Sequence, residues 1–211
     1  MDFPNVDLNL RWQDQNVVKK DGQWTVDGRP TVGVAVSHVH HPPNIPGQTW
    51  LGLTVTAPVN AATPPHTHAG AAVVATVIRG HVLNQMVHTH VDPATGETRS
   101  HDSGAKIYGP GESWYEAPGC HHVRSETVGD EECVFIANLI VSTDTFKGLD
   151  VKSRSPEDDL AKILRVVIID KEVEEQQAAA ATVGLEVPGC TRFENKIKNF
   201  PLLEYKLRVL N

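Results

Sequence analysis

From Gln23 to Ser142 the sequence is a succession of short apolar runs, each ended by Gly, Pro, Asn or Asp. This punctuation rules out long helices over that stretch and predicts many short strands. Asp-Gly turn signals flank the first run, at 21–22 and 27–28. In "TVGVAVSHVHH", strict alternation puts Val32, Val34, Val36, His38 and His40 on one expected face. In "QTWLGLTVTAP", Leu51, Leu53 and Val55 share a face. The runs "GAAVVATVIRG", "HVLNQMVHTHV", "AKIYGPGESWYEAPG" and "CVFIANLIVST" continue the pattern, and the polar "DPATGETRSHDSG" between them reads as a loop. Strands of this length and spacing bury an apolar face only by stacking two sheets or closing a barrel, so the fold class is all-β.

The last third differs. Ser155 is an expected N-cap, with Pro156 at the first helical position and Glu157, Asp158 and Asp159 complementing the helix dipole. "RVVIID" reads as a short buried strand. "KEVEEQQAAAATVG" reads as a helix stopped by Gly184. The tail "FENKIKNFPLLEYKLRVL" carries no decisive pattern. At 211 residues the chain suits one compact domain. We divide it into an N-terminal β extension over 1–48, a barrel over 49–145 and a mixed helix and strand extension over 146–211.

A net charge of −7 argues against a nucleic-acid partner, which needs a basic face. No apolar run is long enough to span a bilayer, and no basic amphipathic segment suggests a membrane surface. The N-terminus lacks the charged and apolar regions of a signal peptide. Cys120, Cys133 and Cys190 are odd in number and widely spaced, matching neither a disulfide framework nor a zinc knuckle. A reducing, cytoplasmic setting is therefore expected.

Three His-X-His pairs remain: His38 with His40, His66 with His68, and His88 with His90. On a strand each pair aims two imidazoles to one side. A metal needs a third ligand from elsewhere. Only the second pair is followed by segments that can supply one. After a β run comes Gly80, then "GESWYEAPGCHHVRSE", where Gly111 leads a short strand, the turn Ala117-Pro118-Gly119 reverses it, and His122 begins the return.

This arrangement resembles the two motifs of the cupin superfamily over residues 60–127. His66 and His68 match the His-X-His of the first motif and Gly80 its closing glycine. Gly111, Gly119 and His122 match the second. Four positions depart. Asn60 stands for the first glycine, and Asn tolerates a left-handed backbone. Ala117 stands for the motif proline, and Glu126 for the terminal asparagine. The motif glutamate is missing: a spacer of four puts Val73 there, a spacer of three Ala72. The resemblance implies a jelly-roll barrel, a double-stranded β-helix, with His66, His68 and His122 on a divalent transition metal. Fe2+ is favoured, with Zn2+, Ni2+, Mn2+ and Cu2+ as alternatives. It also implies a homodimer and a small-molecule substrate.

Around this centre, Glu116 has three open readings: a general acid or base beside the ion, a fourth ligand replacing the lost glutamate, or a rim residue. Gln85, Trp114 and Tyr115 are candidate substrate contacts, although period two allows only one of Trp114 and Tyr115 to face the cavity. His88 and His90 are expected as a solvated pair at a strand end, and His38 and His40 at the barrel mouth or rim. The expected function is a metal-dependent enzyme on a small oxygenated metabolite, dioxygenase-type. A non-oxidative lyase, decarboxylase, isomerase or cyclase is the first alternative, and a non-catalytic binding barrel the second.

Overall fold

The computed structural model describes residue 3 and residues 6–182. Gly184, Cys190 and the tail lie outside the described residues. In chain order the elements are β1 (Val17–Lys20), β2 (Gln23–Val26), β3 (Gly33–His40), β4 (Gln48–Ala57), β5 (Ala62–Thr63), β6 (His66–Thr67) and β7 (Ala72–Arg79). There follow β8 (His81–Val91), β9 (Thr98–Asp102), β10 (Lys106–Tyr108), β11 (Ser113–Glu116), β12 (His121–Val128), β13 (Cys133–Ser142), α1 (Pro156–Val166), β14 (Ile168–Ile169) and α2 (Asp170–Thr182).

One sheet runs β11-β7-β13-β4-β3; the other runs β10-β8-β12-β6-β14, with β5 also on β12 and β9 on β8. Sequence neighbours β7 and β8 lie in opposite sheets, as do β11 and β12, and every pairing is antiparallel. This is the double-stranded β-helix of the cupin fold. Alternation buries Leu51, Leu53 and Val55 of β4, Val73, Ala75 and Val77 of β7, and Leu139 and Val141 of β13 between the sheets. Full burial of side chains of this size contributes about 1.5–3 kcal/mol each, and this is what closes the barrel. The N-terminal segment covers the outer side of the second sheet. Arg124 donates to the Leu10 carbonyl at 3.2 Å, and Glu126 accepts from Gln15 and pairs with Arg29. That cover accounts for a strand, β12, with almost every residue buried.

Asn60 does adopt a left-handed backbone, with φ 63°. Gly80 is required on two counts. Its φ is +70°, and a Cβ there would lie 2.5 Å from the Glu132 carbonyl oxygen. Ser155 caps α1, accepting from the Asp158 amide.

Three expectations need correction. First, β9 stands where a loop is expected. Its five residues are all exposed and extend the β8 hairpin, so no apolar alternation marks them. Second, Val166 belongs to α1, and the strand in "RVVIID" shrinks to Ile168–Ile169. Third, His38 and His40 do not share the face of Val34 and Val36. A β-bulge between Val36 and His38 inserts Ser37, so Val36 stays in the core while both histidines turn outward against Trp50. The two rings stack at 5.2 Å, and the His38 ring lies over Gly52, where a Cβ would collide with it.

Candidate metal centre

His66 sits on β6, held between two partners: its Cα pairs with His122 of β12 on one side and with Ile169 of β14 on the other. The Pro64-Pro65 dipeptide leads into this short strand, and Ala69 and Gly70, both with positive φ, turn the chain out of it. His122 follows the turn at Gly119, as the resemblance implies. Ring centroids lie 4.9 Å apart for His66 and His68, 4.7 Å for His66 and His122, and 6.1 Å for His68 and His122. Each residue offers a ring nitrogen within 4.8 Å of the other two. Among the described residues this is the one His/Cys/Asp/Glu group with that spacing. The resemblance picked the right pair out of three.

Protons decide what such a group can do. The His66 Nδ1–H donates to the Pro64 carbonyl at 2.8 Å, and the His68 Nδ1–H donates to the Val166 carbonyl at 3.1 Å. A carbonyl oxygen only accepts, so Nδ1 carries the proton on both rings and each Nε2 is left as a lone pair. Those backbone bonds also fix ring orientation, the usual task of outer partners around a metal. On His68 that partner comes from α1, so the C-terminal extension helps to build the site.

Glu116 completes the cluster and is not a rim residue. It is 3% exposed, with Oε2 3.2 Å from His68 Nε2 and Oε1 3.5 Å from His122 Nδ1. The Trp114 indole N–H donates to its Oε1 at 2.8 Å. Two buried atoms here lack a hydrogen-bond partner, Glu116 Oε2 and His122 Nδ1. The contact of Oε2 with His68 is thus an approach of two electron-rich atoms unless His68 takes a second proton. The titration tendencies agree. Burial, reinforced by the neighbouring His122 and His68 charges, holds the His66 imidazole well below its usual range. Burial also lowers His122, against the pull of Glu116. For His68 burial acts downward too, but the Glu116 charge and hydrogen bond outweigh it and raise the imidazole. Glu116 stays ionised far below the carboxylate range. Burial opposes this, and the His122 and His68 charges overcome it.

A divalent cation satisfies this donor set. It would take the lone pairs of His66 Nε2 and His68 Nε2, give the orphaned His122 nitrogen a partner, and offset the buried carboxylate charge. His66 and His122 are 5% and 4% exposed, so bulk water does not do this instead.

The remaining sequence candidates divide. Trp114 faces inward, buried, with its indole on Glu116. Tyr115 is 58% exposed on the opposite face and is no cavity residue. Gln85 also turns away, donating to both Asp102 oxygens at 2.9 and 3.0 Å. Its neighbour Asn84, which the sequence reading missed, points inward, and its amide nitrogen lies 2.9 Å from His122 Nε2. The stretch "VLNQMV" has no apolar alternation to show which amide faces in; only the pairing of Asn84 with Ser125 and of Gln85 with Arg124 decides it. His88 is not solvated either: its Nδ1 contacts Cys120 Sγ at 2.8 Å, while His90 is exposed. Two surface cavities, about 420 and 210 Å³, include no triad histidine; the larger is lined by Val59, Asn60, Thr127 and Gly129.

No family profile and no curated protein matches the chain. Among solved structures, it is similar to an oxalate oxidase in complex with the substrate analogue glycolate (20% identity, 83% of this chain, 84% of that one, TM-score 0.38). A cupin domain from Bordetella pertussis Tohama I matches at 17% identity over 54% of this chain and 97% of that one, TM-score 0.35. The cysteine peptidase peruvianin-I from Thevetia peruviana latex matches at 18% identity over 51% of this chain, with TM-score 0.35, and the chain spans 60% of its length.

Proposed function

We propose that the chain is a metal-dependent enzyme acting on a small oxygenated organic molecule, by dioxygenase-type chemistry. One observation carries the metal: buried lone pairs of His66, His68 and His122 converge beside the ionised Glu116, with backbone carbonyls occupying the Nδ1 protons of the first two. A bound divalent transition metal, Fe2+ by preference, would supply Lewis acidity and a place for substrate oxygens and dioxygen. The chain's own residues do the rest. The three histidines hold the ion, Asn84 orients His122, and Trp114 holds Glu116. The apolar interior, with Val73, Leu139 and Phe135, excludes water from the reacting centre.

A non-oxidative reading has its own support. Glu116 lies within 3.5 Å of two of the histidines and can accept a proton from a substrate carbon or hydroxyl, as a lyase or isomerase requires. The deciding experiment has two stages. Elemental analysis of protein purified without added metal should find one transition metal per chain in wild type and none in His66→Ala. Turnover of a panel of small keto acids, hydroxy acids and diketones is then followed with and without oxygen. Activity that persists anaerobically eliminates the dioxygenase reading; wild-type protein that takes up no metal eliminates both and leaves a binding barrel.

A further inference from the structure

The geometry points to Glu116 as a metal ligand supplied from the neighbouring strand, in place of the carboxylate missing at Val73. The inference rests on the metal-binding reading above. Val73 occupies the motif position for an acid on β7, and its side chain is buried toward the histidines' side of the barrel. In the register of β11 on β7, Glu116 is the Cα partner of Val73. Residues opposite each other in an antiparallel pair have Cβ atoms about 4.5–5.5 Å apart and point to the same face. A glutamate side chain is long enough to cover that offset, so a carboxylate launched from 116 reaches the region that one launched from 73 would reach.

Three further observations fit a ligand better than a mobile base. Trp114, two residues earlier on the same face, donates to Oε1 and fixes the carboxyl orientation. The other oxygen, Oε2, is buried, has no hydrogen-bond partner, and faces the lone pair of His68 Nε2 at 3.2 Å. No other acidic side chain contacts the triad histidines among the described residues. With three neutral imidazoles alone, a divalent ion would keep its full double charge in a buried site. One coordinated carboxylate halves it, which low-dielectric surroundings reward.

The probe is Co2+ alone, added to chelator-stripped full-length protein. Its affinity is read by competition with a chromophoric chelator and its coordination by the visible absorption band. Wild type should bind one Co2+. Glu116→Gln should weaken binding by at least about 100-fold, the upper end for outer-shell partners, and shift the band. The double variant Val73→Glu with Glu116→Val moves the carboxylate back across the strand pair and should recover both affinity and band. Weakened binding with an unmoved band would make Glu116 an outer charge and overturn the inference. So would unchanged affinity in Glu116→Gln. If the double variant fails to fold, the Glu116→Gln spectrum decides alone. Failure of wild type itself to bind Co2+ removes the metal reading, a result distinct from either of these.

Discussion

Acidification should destabilise the metal-free protein in a calculable way. The folded state holds His66 and His122 below their ordinary imidazole range, chiefly by burial. Below pH ~6.5 the unfolded chain therefore binds protons at these positions that the folded chain refuses, and stability falls as pH falls. Each such group contributes about 1.4 kcal/mol when the pH drops from about 7.5 to about 5.5, so the pair contributes about 3 kcal/mol. His68 has the opposite sign, because its pKa is raised in the folded state. Its contribution is complete below pH ~6.5 and is lost as pH rises through its folded value, so it adds no slope in the acid arm. Glu116, held low, loses its contribution only as pH falls through its folded value, beneath this window. A loss of ~3 kcal/mol is large against the usual 5–15 kcal/mol of a domain. The assay is urea unfolding with excess chelator at several pH values, followed by circular dichroism. His66→Gln should remove about half of the slope. A flat profile, or one that His66→Gln leaves unchanged, would refute the claim that these rings are buried as neutral bases.

Other outcomes follow from the same geometry. Gly80→Ala should cost about 2–5 kcal/mol in urea unfolding, combining positive φ with overpacking against the Glu132–Cys133 backbone; a cost near zero would mean the turn relaxes freely. Replacing His88 and His90 together by Ala should leave metal stoichiometry unchanged, while loss of the His88–Cys120 contact costs about 1 kcal/mol; loss of the ion would show that the wrong pair was assigned. The outer face of the five-stranded sheet carries uncharged rungs, Trp50–Ile140–Ala72 and Gly52–Asn138–Val74–Tyr115, with Ile78 beyond. A second copy can pack there without like-charge repulsion, so sedimentation should show a dimer that Val74→Lys dissociates; a monomeric wild type at micromolar concentration would refute this pairing.

The sequence by itself determined the all-β class, the helix cap at Ser155, and the three histidines. Each is a local matter. Period two, turn residues and capping act over a few neighbouring positions, and the spacing of His66, His68, Gly80, Gly111, Gly119 and His122 can be read along the chain. What needed the tertiary structure was every choice between faces and every neighbour across strands. One inserted residue at Ser37 turns His38 and His40 from core to surface, because alternation has no memory through a bulge. Asn84 rather than Gln85 faces the site because β8 is buried on both sides, leaving no polar face to mark the outside. The carboxylate beside the histidines is far from Val73 in sequence yet directly across from it, since register between β7 and β11 is set by long-range pairing. The Val166 carbonyl that holds His68 comes from a helix almost a hundred residues downstream, a distance that only folding closes.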